Sequence, residues 1–145
     1  MPAEGMVHAL ETIHKLLKPD GYLIEIHPNG QPPPVEARIA DQLHLLDHLQ
    51  ETDDFIEYTQ ASAALDEVIR GGLFSLEQQS SFELITRAET VEEMHNYLAE
   101  NWSDSIFPNQ VEIKAQELSI SVGQISSIWL TEIALINRLR KISLA

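Results

Sequence analysis

The apolar positions change period as the chain begins. Val7, Leu10, Ile13 and Leu17 recur at intervals of three and four, the spacing that lines one stripe of a helix. Lys15 and Lys18 suit the carbonyl-rich end of such a helix. Pro19 cannot continue it and fits the second position of a β-turn, with Asp20 and Gly21 tolerating the geometry that follows. Tyr22-Leu23-Ile24-Glu25-Ile26 is then a mostly apolar run of strand formers, which predicts a short strand of the kind buried in a parallel sheet. The next eight residues, His27-Pro28-Asn29-Gly30-Gln31-Pro32-Pro33-Pro34, hold four prolines and a glycine, so they predict a surface loop.

Further along, Val35, Ile39, Leu43, Leu46 and Leu49 fall on one helical face, with Asp41, His44, His48 and Glu51 opposite, so residues 35–51 read as an amphipathic helix. Residues 52–58 fit either a short strand or a turn. A helix follows over 60–70, with Ala64, Leu65, Val68 and Ile69 on one side and Gly71-Gly72 as its stop. Alternation in the second half of residues 73–87, with Phe82, Leu84 and Thr86 against Glu83, Ile85 and Arg87, predicts a strand. Thr90, three residues before Glu93, has capping-box spacing, and Val91, Met94, Leu98 and Trp102 continue the stripe of the helix it opens. Another helix begins at Asn109, carries Val111, Ala115 and Leu118, and stops near Ser121-Val122-Gly123. The last stretch, residues 123–142, offers Ile125, Ile128, Leu135, Leu139 and Ile142 as a helix, or apolar residues on both faces as a central strand. Its β-branched content and leading glycine favour the strand.

Length and charge narrow the picture. A chain of 145 residues is one domain's worth with a real core, spanning 1–145. Nine Lys plus Arg against 23 Asp plus Glu leave a net charge of -14, which repels phosphate backbones and anionic membranes, so neither nucleic acid nor membrane is an expected partner. The absence of cysteine excludes disulfides and thiolate metal sites and agrees with a reducing cytoplasm, the expected location. No apolar run reaches the roughly 20 residues that span a bilayer, and the N-terminus lacks a signal-peptide pattern.

Candidate chemistry is sparse. His44 and His48 at i, i+4 on the expected helix have metal-site spacing, but no third ligand stands at a telling distance, and a solvated polar face explains them, so no metal is expected. Gly71-Gly72 ends a helix, whereas phosphate cradles open one. Glu25, midway along the first strand, is expected to face a polar partner across the sheet. No Ser-His-Asp elbow or other nucleophile signature is visible.

Leu17-Lys18-Pro19-Asp20-Gly21, leading from a helix into an apolar strand, resembles the Leu-Lys-Pro-Gly-Gly turn before the fifth strand of class I S-adenosylmethionine-dependent methyltransferases, with Asp20 in place of the first glycine. The order downstream is similar to the second half of that fold: a variable insertion, Gly-Leu-Phe, a strand, capped helices and a final strand. This likeness implies an α/β, partial Rossmann-like sheet of about three strands covered by several helices, the last strand returning antiparallel between the fifth and sixth. The family's cofactor loop is glycine-rich, and no Gly-x-Gly occurs in this chain. The implied protein is thus a methyltransferase-like fragment, inactive alone, that acts by self-association or through a partner. The alternative is a methyltransferase whose cofactor half is supplied by another chain or missing here, with S-adenosylmethionine as the family's cofactor and none held by this chain alone. Ligands in such sheets sit beyond the carboxyl ends of strands, which makes His27 and Asn29 the candidate substrate-facing residues, although turn composition also explains them. With the neighbouring fourth strand absent, the Tyr22 to Ile26 strand has an open edge, and a homodimer through that edge is expected.

Overall fold

The computed structural model describes residues 3–143. In chain order the elements are α1 (Ala3–Leu16), β1 (Tyr22–Pro28), β2 (Pro34–Ile39), β3 (Gln42–His48), β4 (Gln50–Glu51), α2 (Ile56–Arg70), β5 (Phe74–Ala88), α3 (Val91–Asn101), β6 (Ser105–Ile106), α4 (Asn109–Ser121) and β7 (Ile125–Lys141). This α/β chain carries a five-stranded sheet ordered β1-β7-β2-β3, with β5 also paired to β7, and a separate β4-β6 ladder. β7 pairs antiparallel with β1 and with β2, and β2 pairs antiparallel with β3. The expectation of about three strands with β1 in a parallel sheet is therefore corrected. Contacts divide the chain into two compact units.

The first unit holds residues 3–30, 56–82 and 133–143. α1 ends at a turn in which Gly21 N–H donates to Lys18 O at 2.9 Å and Asp20 takes φ 59°, the left-handed conformation that glycine adopts most readily. Lys141 Nζ donates to Leu17 O at 2.8 Å, so a lysine from β7 satisfies a carbonyl at the end of α1. Leu10 of α1 and Ala64, Leu65 and Val68 of α2 pack with Phe74 and Leu139, and Leu23 joins them from β1. Alternation sends Tyr22, Ile24 and Ile26 to the opposite face. These three are 44%, 53% and 55% exposed, where a fully buried strand was expected.

The second unit holds residues 31–55 and 83–132. In place of the helix expected over 35–51 there is a hairpin, β2 and β3, turning through Ala40 at φ 54°. Val35, Ala37 and Ile39 alternate into a core that takes Met94 and Leu98 from α3 and Val111, Ala115 and Leu118 from α4. Thr90 caps α3 by accepting from Glu93 N–H at 3.1 Å. The ambiguous segment 52–58 resolves as turns leading into α2, and residues 125–141 form the strand that their composition favoured.

Candidate functional site

Glu25 and His27, two residues apart on β1, share the face that packs towards α2, because strand side chains alternate. His27 is buried, at 7% exposure. Its Nδ1 lies 2.6 Å from Glu25 Oε1 and its Nε2 lies 2.9 Å from Ser62 Oγ. A carboxylate oxygen only accepts, so the proton on the first line belongs to Nδ1. In that tautomer Nε2 carries the lone pair and can accept from the Ser62 hydroxyl.

Glu25 is held in turn. Asn137 stands opposite it on β7, and Asn137 Nδ2 donates to Glu25 Oε2 at 2.9 Å. Gln79 Nε2 of β5 donates to Asn137 Oδ1 at 2.8 Å. The result is one polar line, Ser62–His27–Glu25–Asn137–Gln79, drawn from α2, β1, β7 and β5. Buried polar groups cost free energy unless paired, so the buried Asn137 is affordable only because both ends of its amide have partners. A cavity of about 60 Å³ adjoins the line, bounded by Ser62, His27, Gln79 and Asn137 on its polar side and by leucines such as Leu65 and Leu135 on the other.

The sequence-selected residues meet different fates. His27 sits at the centre of this line, and Glu25 faces a polar partner across the sheet as expected. Asn29 lies just past β1, where its N–H donates to Ile133 O at 2.9 Å. His44 and His48 lie on strand β3 rather than on a helix, opposite Ala37 and Pro34, so the helical spacing that suggested a metal pair does not exist. Among the described residues no group of three or more His, Asp or Glu is placed to hold a metal ion. Gly71 and Gly72 end α2, with Gly72 at φ 81°. Ser62, Gln79 and Asn137 went unnoticed in the sequence. The available signal was a lone polar residue inside each of two apolar runs, Glu25 and Asn137, but only the register brings them opposite one another.

In the second unit Glu51 is buried, and its Oε2 accepts from Trp102 Nε1 at 2.9 Å. Burial pushes its carboxyl up to about 7, helped by a hydrogen bond and like charge from Asp53 and by the charge of Asp104, while the Trp102 indole opposes the rise.

Comparison with protein-family models, with curated proteins and with solved structures finds no match. No helix among the described residues is long and apolar enough to cross a membrane.

Proposed function

We propose that this chain is a methyltransferase-like module, inactive alone in methyl transfer, that acts by pairing with a second copy of itself along the outer edge of β1. The observation that carries the reading is the state of that edge. Lys141 N–H donates to Gly21 O and Asn29 N–H donates to Ile133 O, flanking β1 at both ends. Antiparallel pairing alternates, so the odd-numbered residues of β1 turn their backbone groups to β7 and Tyr22, Ile24 and Ile26 turn theirs outward. Among the described residues no strand pairs with that side.

The edge is complementary to itself. A two-fold axis at Ile24 sets Ile24 against its own copy and Tyr22 against Ile26, matching N–H to C=O and, on the face those residues share, apolar to apolar. Each new hydrogen bond adds about 0.5–1.5 kcal/mol, and burying several hundred Å² of apolar surface adds about 25 cal/mol per Å² before the entropy of association is subtracted. The chain's net charge of -14 opposes the approach of two copies. Locally the field is milder, since Arg138 and Arg140 stand opposite Ile24 and Tyr22 on β7 and pair with Glu77. The methyltransferase part of the reading is supported by the antiparallel β1-β7 pair, by β5 pairing with β7, and by the left-handed backbone at Asp20, where the family's turn has glycine.

Sedimentation equilibrium on the wild type and on Ile24→Lys tests it. The expected result is a wild-type dimer at micromolar concentration, tightened by added salt as repulsion is screened, and a folded monomer for the variant. A wild-type monomer under the same conditions overturns the reading.

A further inference from the structure

We propose that Ser62 is a nucleophile activated by His27 and Glu25, able to take a small, neutral acyl group from an ester. A serine hydroxyl is a weak nucleophile unless a neighbouring base accepts its proton, and the base works best when a third group fixes its tautomer and orientation. Both conditions are met in one compact unit. Ser62 Oγ lies 2.9 Å from His27 Nε2, within reach for passing its proton to the ring, and Glu25 Oε1 lies 2.6 Å from Nδ1, where a carboxylate keeps the proton on that nitrogen. Asn137 fixes the other carboxylate oxygen of Glu25, so the carboxylate cannot swing away from the ring.

The surroundings define the substrate class. The adjoining space, about 60 Å³ by the measure in which one water needs roughly 10–15 Å³, holds a group of a few heavy atoms and opens to solvent. Its leucine walls favour an apolar acyl tail. Asp66, one helical turn after Ser62 and exposed at the rim, disfavours a negatively charged one. Asn137 and Gln79 line the same space, and each uses only one amide N–H within the polar line. Ser62 is half-buried, so a reagent reaches it with its leaving group still in water.

The step balances without a cofactor. Ser62 Oγ adds to the ester carbonyl carbon as its proton passes to His27 Nε2. The tetrahedral intermediate collapses, the bond to the alcohol oxygen breaks, and the alcohol departs with the proton from Nε2, leaving acyl-Ser62. Water then attacks by the same proton route, releasing the carboxylic acid and restoring the serine. Ser62 and His27 are the catalytic residues here, and Glu25 and Asn137 are positioning residues.

The test is incubation of the full chain with p-nitrophenyl acetate, following nitrophenolate release and mapping the acetyl group by peptide mass spectrometry. Acetylation at Ser62 is expected, absent in Ser62→Ala and slowed about 100-fold or more in His27→Gln, the range typical of losing a general base. Glu25→Gln is expected to slow it at least about tenfold with an unchanged circular dichroism spectrum, an effect on rate that a purely structural carboxylate would not have. Acetyl found only on lysines, a nitrophenolate burst unchanged in Ser62→Ala, or a folded Glu25→Gln that acylates at the wild-type rate overturns the proposal. Because Ser62→Ala places the best helix former on a half-buried helix position, that arm does not depend on whether the histidine variant folds.

Discussion

Glu25 and Asn137 face each other across β1 and β7, joined by the 2.9 Å hydrogen bond from Asn137 Nδ2 to Glu25 Oε2. A single cross-strand pair, Asn137 buried and Glu25 half-buried, thus anchors the orientation of His27, and through it that of Ser62.

Replacing Asn137 by Leu removes the donor to Glu25 and the acceptor for Gln79 while keeping the volume similar. The two partners are left unsatisfied, so Asn137→Leu is expected to destabilise the fold by about 1–3 kcal/mol in denaturant titration. A variant as stable as the wild type would show that water replaces both bonds at no cost.

The α1–β1 turn makes a sharper test of local geometry. A Cβ on Gly21 would sit 2.9 Å from Lys18 O, a backbone atom that cannot step aside without opening the turn. Gly21→Ala is expected to lower stability by about 1 kcal/mol or more. Asp20→Gly, at φ 59°, should be neutral or stabilising by up to about 1 kcal/mol, since it relieves a left-handed residue. Thermal melts of the two variants should move apart; equal shifts would contradict the turn geometry.

Glu51 makes stability depend on pH. Its carboxyl is raised to about 7 in the folded chain, chiefly by burial, so the folded state binds this proton more tightly than the unfolded state does. The stabilisation is fully present below the ordinary carboxylate range and is lost as pH rises through about 7. Between pH 5 and pH 8 the wild type should lose up to about 3 kcal/mol more than Glu51→Gln, whose amide still accepts from Trp102. Parallel stability curves for the two proteins would remove Glu51 as the cause.

S-adenosylmethionine is expected not to bind the purified chain, because no Gly-x-Gly loop is encoded to cradle it. Calorimetric titration is the direct check. A dissociation constant of micromolar order would require a formed pocket and would favour the reading in which this chain is part of a working methyltransferase.

The hairpin in place of the helix expected over residues 35–51 has a physical origin. Val35, Ile39, Leu43 and Leu46 fit a period near 3.6, but Val35, Ala37 and Ile39 also fit a period of 2, and short apolar runs do not separate the two. The hairpin is settled by a turn at Ala40 in a left-handed conformation that no propensity of alanine advertises, and by β7 pairing along the other side of β2. The strand at Tyr22 and its open edge were expected, but the exposure of its Tyr22, Ile24 and Ile26 face was not, since an apolar composition does not say which face another layer covers.

Local physics made other parts legible. The Thr90 cap, the buried stripes of α3 and α4, the stop at Gly71-Gly72 and the Lys-Pro-Asp-Gly turn all depend on residues within one or two turns of each other, and each is where its spacing placed it. The polar line is of another kind. His27 meets Ser62 across 35 positions, and Glu25 meets Asn137 across 112. Those meetings depend on which strands pair and in which register, a choice made by the summed burial of two cores. Sequence alone determined the elements whose stabilising contacts are short-range; only tertiary structure decided the antiparallel sheet and the side chains gathered around His27, because their contacts exist only once distant segments have been brought together.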